Sequence, residues 1–140
     1  MEVEKKEKNQ IEKSESLLHT LKEGKKLLKE NRYEEALNVF DEAVKIKEEN
    51  ATLWAANGIL HLKLKQYDRA EKAFWKAIDN DPLEPIFWAG LGFILATRNQ
   101  YQKAREAYNK ALEKGVKFEE LLNTHLSILK EQIKEKNNSS

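Results

Sequence analysis

The sequence contains no cysteine, and this absence excludes several kinds of chemistry. A chain of 140 residues without a thiol has no disulfide framework, no thiolate nucleophile and no cysteine-based zinc site. Glycine occurs only five times and proline twice, while 35% of the residues are charged. Few turn-forming residues and many charged ones are typical of a helical protein with a strongly solvated surface. We therefore predict an all-α protein, and the length fits a single domain.

The sequence also lacks an excess of charge of one sign and a long hydrophobic run. It has 25 basic and 24 acidic residues, a net charge of +1, which gives no electrostatic reason to expect nucleic acid or an anionic membrane as a partner. The richest apolar stretch, residues 86–97, is too short to span a bilayer. Residues 1–16 alternate Glu and Lys and lack the hydrophobic run of a secretory signal. We expect a cytoplasmic protein without a membrane insertion.

The dominant feature of the sequence is a repeat with a period of 34 residues. Five columns recur three times without gaps, and these are Gly24, Gly58 and Gly92; Tyr33, Tyr67 and Tyr101; Ala36, Ala70 and Ala104; Phe40, Phe74 and Tyr108; and Ala43, Ala77 and Ala111. A sixth column has Trp54 and Trp88, with Thr20 in the first copy. Apolar residues within each copy follow two helical stripes, so each copy is predicted to be a pair of helices.

Local signals mark the ends of these predicted helices. Asn31, Lys65 and Asn99 lie between the two helices of each copy, and asparagine is the commonest residue after glycine at a left-handed helix end. Asn50 is suited to cap the helix that follows it, and Pro85 fits a first helical position. We predict that the glycine and alanine columns let paired helices approach closely. The aromatic column at 40, 74 and 108 is predicted to fill the gap to the next pair.

This pattern resembles the tetratricopeptide repeat, whose signature places Trp, Leu, Gly, Tyr, Ala, Phe, Ala and Pro at fixed offsets. The middle copy matches with Trp54, Gly58, Tyr67, Ala70, Phe74, Ala77 and Pro82, but it has Asn57 and His61 where the family has Leu and Tyr. The resemblance implies an α-solenoid of antiparallel helix pairs, a right-handed superhelix of about seven helices. It divides the chain into a frayed or disordered segment 1–16, repeats 17–50, 51–84 and 85–118, a capping helix 119–136 and a disordered tail 137–140.

No residue pattern in the sequence points to catalysis. His19, His61 and His125 lie in three different predicted helices, and no carboxylate pattern such as HExxH accompanies them. We expect His61 to pack between helices and the other two histidines to be partly exposed. The glycines are 34 residues apart, so they form no phosphate-binding loop. The chain is therefore predicted to be no enzyme and to hold no metal or cofactor.

The resemblance also implies where a partner would bind. In this family the first helix of each pair lines a concave surface, and the residues at these positions are Leu18, Leu21, Lys22, Lys25 and Leu28; Thr52, Ala55, Ala56, Ile59 and Leu62; and Ile86, Ala89, Gly90, Phe93 and Ala96. Relatives that grip a peptide carboxylate carry Lys, Asn and Arg there. The matching positions here hold Leu21 and Lys25, Ala56, and Ile86 and Gly90, so a carboxylate clamp is not expected.

We interpret this surface as an apolar groove for a peptide or amphipathic helix of another protein. The groove prediction comprises Leu21, Lys25, Thr52, Ala55, Ala56, Ile59, Leu62, Ile86, Ala89, Gly90, Phe93 and Ala96. The predicted function is a non-enzymatic adaptor. The alternatives are a chaperone of hydrophobic clients, similar to those of type III secretion translocators, and a self-assembling scaffold. The N-terminal segment, through Val3 and Ile11, is a rival occupant of the groove, and Trp75 is a candidate second contact surface.

Overall fold

The structure, a computed structural model, describes residues 1–115 together with residues 117, 119 and 123. This part of the chain forms six α-helices and no strand, and the helices are α1 (Glu2–Lys29), α2 (Tyr33–Ile46), α3 (Ala51–Lys63), α4 (Tyr67–Asn80), α5 (Pro85–Thr97) and α6 (Tyr101–Glu113). The predicted all-α class is confirmed. The seventh helix, predicted at 119–136, and the tail at 137–140 lie outside the described residues, apart from residues 119 and 123.

The helices pack as consecutive pairs within two compact units. Unit 1 is Met1–Asp81, and it contains the pairs α1–α2 and α3–α4, with α2 also packed on α3. Unit 2 begins at Pro82 and contains the pair α5–α6. The core of unit 1 joins α1, α2 and α3 through buried apolar residues, namely Leu27, Ala36, Leu37, Phe40, Ala43, Val44, Leu53 and Leu60. None of the helices in the described part of the chain has the length and apolarity that a bilayer crossing needs.

The turn within each pair uses one residue in the left-handed region. Asn31, Lys65 and Asn99 have φ angles of 58°, 60° and 63°, so the prediction from the asparagine positions is confirmed and extends to the lysine. The hydroxyl of Tyr33 donates to Asn31 Oδ1 at 3.0 Å, and that of Tyr101 donates to Asn99 Oδ1 at 2.8 Å. Each of these asparagines is therefore hydrogen-bonded to the first residue of the next helix, which lies two residues later in the sequence.

The predicted helix starts at residues 50 and 85 are also confirmed. The backbone N–H of Leu53 donates to Asn50 Oδ1 at 3.1 Å, which satisfies one of the free N–H groups at the start of α3. Pro85 occupies the first position of α5, where a missing N–H costs no hydrogen bond. Both features follow from local chemistry that the sequence displays directly.

Each glycine of the repeated column lies directly against an aromatic ring of the second helix in its pair. A Cβ placed on Gly58 would lie 2.7 Å from Phe74 Cδ2, and one on Gly92 would lie 2.7 Å from Tyr108 Cδ1. Gly24 faces the Phe40 ring in the same way, with 2.9 Å to Cε2. The aromatic column thus packs on the glycine of its own helix pair. The physical reason is that only glycine leaves room for a ring against the helix backbone. Phe40 also belongs to the core cluster that contains Leu53 and Leu60 of the next pair, which is the gap that we predicted it to fill.

The prediction for residues 1–16 needs correction, because residues 2–16 are helical and are part of α1. All sixteen are exposed, so the expected lack of a packing surface is correct. Favourable i, i+4 spacings such as Glu2–Lys6 and Glu4–Lys8, and the absence of Gly and Pro, support the helix without burial. Val3 and Ile11 are exposed on this extension. The N-terminal segment is therefore not folded back into the predicted groove.

Candidate functional site

The histidines do not converge on a common site in the described residues. His61 is buried, and its Nδ1 lies 2.7 Å from Gln66 Oε1, which confirms its predicted role in packing. His19 is exposed on α1, as predicted, and His125 lies outside the described residues. Among the residues described, no group of three or more metal-ligating side chains comes together. The histidines therefore do not define the candidate site.

Two groups of titratable residues have shifted pKa values that follow from their contacts. Hydrogen bonds from Arg32 lower the pKa of Glu30, and those to Glu30 and Glu35 raise the pKa of Arg32. All three residues are exposed at the turn between α1 and α2, where they form a local ion-pair network. Burial raises the pKa of the Tyr108 phenol to about 12, because the ring packs against Gly92. These groups stabilise a turn and a helix contact, and none of them faces a reaction site.

A cleft of about 330 Å³ opens in unit 1 near the start of α3. Its lining residues are Val44, Lys45, Glu48, Trp54, Lys76, Asp79 and Asn80. The indole N–H of Trp54 donates to the carbonyl of Glu48 at 2.8 Å, and Lys76 Nζ lies 4.3 Å from the Trp54 ring centroid. Asn80 Nδ2 donates to the carbonyl of Lys76 at 3.0 Å. Trp54, Lys76, Asn80 and the carbonyl of Glu48 therefore contact one another across the cleft and join the helices that line it.

The same joint recurs in unit 2 at the 34-residue spacing. The indole N–H of Trp88 donates to the carbonyl of Pro82 at 2.8 Å, and Lys110 Nζ lies 4.4 Å from its ring centroid. Thr20 holds the corresponding position in α1, where its hydroxyl donates to the carbonyl of Ser16 at 2.8 Å. A tryptophan needs a free linker carbonyl before the helix, and the uninterrupted α1 offers none at that point. The tryptophan column is thus structural.

A better candidate is the surface of α1 and α3 in unit 1. Ile59 is 45% exposed and Leu18 is 57% exposed, and the 34-residue register assigns both side chains to the same surface. Leu21, Ala56 and Leu62 are half-buried beneath this surface, and Leu21 and Ala56 pack against the core of unit 1. We call the exposed and half-buried apolar residues the unit 1 face; they are Leu18, Leu21, Ala56, Ile59 and Leu62.

The polar members of the groove prediction in unit 1 border this face. Lys25 and Thr52 are exposed. Ala55, which the prediction included, is only 7% exposed and belongs to the core, so it offers no surface to a partner. The sequence pattern could not separate Ala55 from Ala56, because adjacent alanines at the edge of a helical stripe have the same chemistry. Only the packing beneath α3 distinguishes them.

In unit 2 the predicted residues lie on one side of α5. Ile86 is 63% exposed, and the others, Ala89, Gly90, Phe93 and Ala96, are half-buried. No residue of α5 between Pro85 and Thr97 is charged. We call these five residues the α5 face. It presents small and apolar side chains and lacks the ionic groups that would hold a charged ligand.

Sequence reasoning missed two features of the site. Asn57 is buried, and its Nδ2 donates to Asp41 Oδ1 at 2.6 Å, which links α3 to α2. The departure from the expected leucine at this position was the available signal. Lys29 and Lys63 lie one helical turn beyond Lys25 and Ile59. Extending the 34-residue register by four residues would have included them.

Comparisons with known proteins agree with this architecture. A family model described as tetratricopeptide repeat matches residues 55–115, and a second, described as TPR repeat, matches residues 24–65. Together they cover residues 24–115, which is most of the described chain. A comparison with curated protein sequences gives no significant match.

Several solved structures are similar to this chain. MamA from Desulfovibrio magneticus RS-1 is 26% identical with a TM-score of 0.67, over 70% of this chain and 55% of that one, so this chain spans about half of MamA. The second TPR domain of Spaghetti, bound to the HSP90 peptide SRMEEVD, is 24% identical with a TM-score of 0.69, over 75% of this chain and 96% of that one. The TPR2B domain of yeast Sti1, in complex with pHsp70, is 19% identical with a TM-score of 0.73, over 83% and 98% of the two chains. The last two likenesses concern the fold alone, and they confirm the all-α solenoid class of helix pairs.

Proposed function

The chain belongs to the tetratricopeptide repeat family, and from that premise we propose that it is a non-enzymatic adaptor that binds a peptide or amphipathic helix of a partner protein. The observation that supports this most directly is the exposure of Ile59, which lies beside the fully buried Leu60 on α3. An aliphatic side chain in water adds nothing to the stability of the fold, whereas burial against a partner contributes about 1.5–3 kcal/mol for a residue of this size. Ile86 supplies a similar anchor on the α5 face.

Peptide-bound relatives of the same fold support a protein as the partner. The second TPR domain of Spaghetti is seen with an HSP90 peptide, and the TPR2B domain of Sti1 with pHsp70. The mode of binding is proposed to differ here. Leu21, Ala56 and Gly90 occupy positions where a carboxylate clamp needs donors, and Lys25 alone does not supply a convergent set. The anchor is thus an apolar side chain in the partner and not its C-terminal carboxylate.

The test is a substitution at each face, with a matched control elsewhere. Tagged wild-type protein, Ile59→Glu and Ile86→Glu are used to capture proteins from the native lysate, followed by mass spectrometry. Ile11→Glu is the control, because it makes the same change at an equally exposed isoleucine outside both faces. We expect a protein that wild type and Ile11→Glu capture and that at least one face variant loses by about tenfold, since a buried charge opposes binding.

Circular dichroism must show that each variant is folded, and the captured protein is then purified and its affinity is measured directly. Capture that is the same for all four proteins would contradict the proposal. Light scattering separates the two alternatives from it. A molar mass in solution equal to two or more copies of the chain would favour the self-assembling scaffold. Suppressed aggregation of an apolar client protein in the presence of the chain would favour the chaperone.

A further inference from the structure

Lysines border one side of the unit 1 face. Lys22, Lys25 and Lys29 lie on α1 and are exposed, and Lys63 is exposed at the end of α3. The Lys63 ammonium lies 5.2 Å from the ring centroid of Tyr33, the first residue of α2. Since only three residues separate the end of α1 at Lys29 from the start of α2 at Tyr33, this contact places Lys63 at the same end of unit 1 as Lys29. We call these four residues the lysine rim.

The lysines of the rim are not interleaved with acidic residues, and an exposed carboxylate on this side of α1, that of Glu15, lies two helical turns before Lys22. The positions that the 34-residue register assigns to this surface, leaving out the buried Ala55, hold Leu18, Leu21, Lys22, Lys25, Leu28 and Lys29 on α1, and Thr52, Ala56, Ile59, Leu62 and Lys63 on α3. No Asp or Glu is among them, although the chain has 24 acidic residues and a net charge of only +1. The two carboxylates at the nearby turn, Glu30 and Glu35, are both bound by Arg32. Positive charge is therefore concentrated on this surface.

The positive charge has an electrostatic cost in the free protein. Lys22, Lys25 and Lys29 make no ion pair among the described residues, and their spacings of three and four residues bring like charges together on α1. Favourable interaction with the helix dipole accounts for Lys29, which lies in the last turn. It does not account for Lys22 and Lys25, because the dipole effect fades beyond the last turn. An acidic partner would remove this repulsion.

We propose that the partner segment is an amphipathic helix whose apolar stripe is bordered by Asp and Glu residues. Its apolar side chains cover Leu18 and Ile59, and its acidic residues lie against the lysine rim. This inference rests on the proposed function, because it names the chemistry of the partner that binds the unit 1 face. Nucleic acid fits less well, since exposed leucine and isoleucine at the centre of the surface offer no hydrogen bonds to phosphate or bases.

The experiment uses the full chain and three fluorescent peptides that share one helical pattern. The first has a leucine stripe bordered by Glu, the second has the same stripe bordered by Lys, and the third keeps the Glu border but replaces leucine with Ser. Fluorescence anisotropy measures their affinities at about 0.05 M and about 0.5 M salt. We expect the first peptide to bind at least about tenfold more tightly than either of the others at low salt, with a smaller advantage over the Lys-bordered peptide at high salt.

A charge-reversed variant locates the effect on the protein. Lys22→Glu/Lys25→Glu should weaken binding of the first peptide about tenfold or more and improve binding of the second. Lys72→Glu/Lys103→Glu is the control, because it changes the net charge equally at exposed lysines of α4 and α6. The control should leave both affinities within about twofold, because neither lysine belongs to the unit 1 face or to the lysine rim.

The other outcomes separate this inference from the proposed function. Equal binding of both leucine peptides would support apolar binding at the unit 1 face and would contradict the inference that the partner is acidic. Binding of neither leucine peptide overturns the proposed function itself. Equal binding of the first and third peptides shows a purely ionic contact and overturns the helix. Displacement of the first peptide by a single-stranded oligonucleotide at equal concentration would assign the rim to nucleic acid.

Discussion

Lys65 has a left-handed backbone conformation, and the residues at the equivalent positions of the other two repeats, Asn31 and Asn99, are asparagines. Its φ angle is 60°, a region that costs a residue with an ordinary side chain roughly 1–2 kcal/mol. Asn31 and Asn99 tolerate this region, and each accepts a hydrogen bond from the tyrosine two residues later. Tyr67 holds the same position after Lys65, so the middle turn has the tyrosine but lacks the acceptor.

We predict that Lys65→Asn stabilises the protein by about 1 kcal/mol, because it relieves the left-handed backbone and gives Tyr67 an acceptor. Urea unfolding followed by circular dichroism measures the free energy of unfolding. Lys65→Ala is the control, since it removes the lysine side chain but keeps a Cβ and supplies no acceptor. A gain in Lys65→Ala as large as in Lys65→Asn would show that the lysine side chain, and not the backbone, is the cause.

Single residues also determine how closely the helices of a pair approach. Gly58 and Gly92 each face an aromatic ring at a distance that excludes a methyl group. The repeat shows which columns are small, but it does not show which large residue each small one faces. That pairing depends on the rotation of each helix about its axis, so our sequence prediction did not include the contact between each ring and the glycine of its own pair.

At the scale of elements, α1 is twice as long as its equivalents because it continues through a segment that buries nothing. Residues 2–16 are helical and wholly exposed, so only intrinsic propensity and charge spacing support them. Short isolated helices are marginal in water, and this one is stabilised by continuity with the packed half of α1. The prediction of a frayed segment gave too little weight to that continuity.

We predict that a chain beginning at Ser14 loses helical circular dichroism signal while its free energy of unfolding changes by less than about 0.5 kcal/mol. Serine is a favourable residue at a helix start, so the shortened α1 retains a cap. Leu27→Ala, which truncates a buried residue of the same helix, should cost about 2–5 kcal/mol by comparison. A comparable loss in the shortened chain would mean that residues 1–13 contribute tertiary contacts.

At the scale of the whole molecule, the chain is divided into two compact units. In repeat proteins stability is approximately a sum of local terms, so a mutation acts mainly on its own part of the chain. Phe74 is buried in unit 1 and Ile94 in unit 2, which allows this expectation to be tested with two comparable truncations.

Hydrogen exchange measured by mass spectrometry provides the test. Phe74→Ala is expected to lower the free energy of unfolding by about 3–5 kcal/mol. We predict that it lowers amide protection more in Met1–Asp81 than from Pro82 onward. Ile94→Ala should lower the free energy of unfolding by about 2–5 kcal/mol, and we expect it to lower amide protection more from Pro82 onward than in Met1–Asp81. An equal loss of protection in both units from either variant would show that the chain unfolds as one cooperative body.

The sequence by itself indicated the family, the helix pairs, the turn within each pair and the starts of α3 and α5. It could do so because a 34-residue period, an Asn50 cap, Pro85 and the turn residues act locally or repeat in register. The apolar character of the first helices was equally visible. The predicted binding residues remain a proposal, since nothing but a partner can test them.

Only the tertiary structure decided which residues of those helices face water. Ala55 is buried and Ile59 exposed although both lie in the same predicted stripe, and Asn57 is buried because Asp41 on α2 accepts its amide hydrogen. The contact of Lys63 with the ring of Tyr33 on α2 likewise depends on packing between helices that no local pattern displays. Burial and charge clustering arise from helix rotation and packing between elements, and a single sequence records these only indirectly.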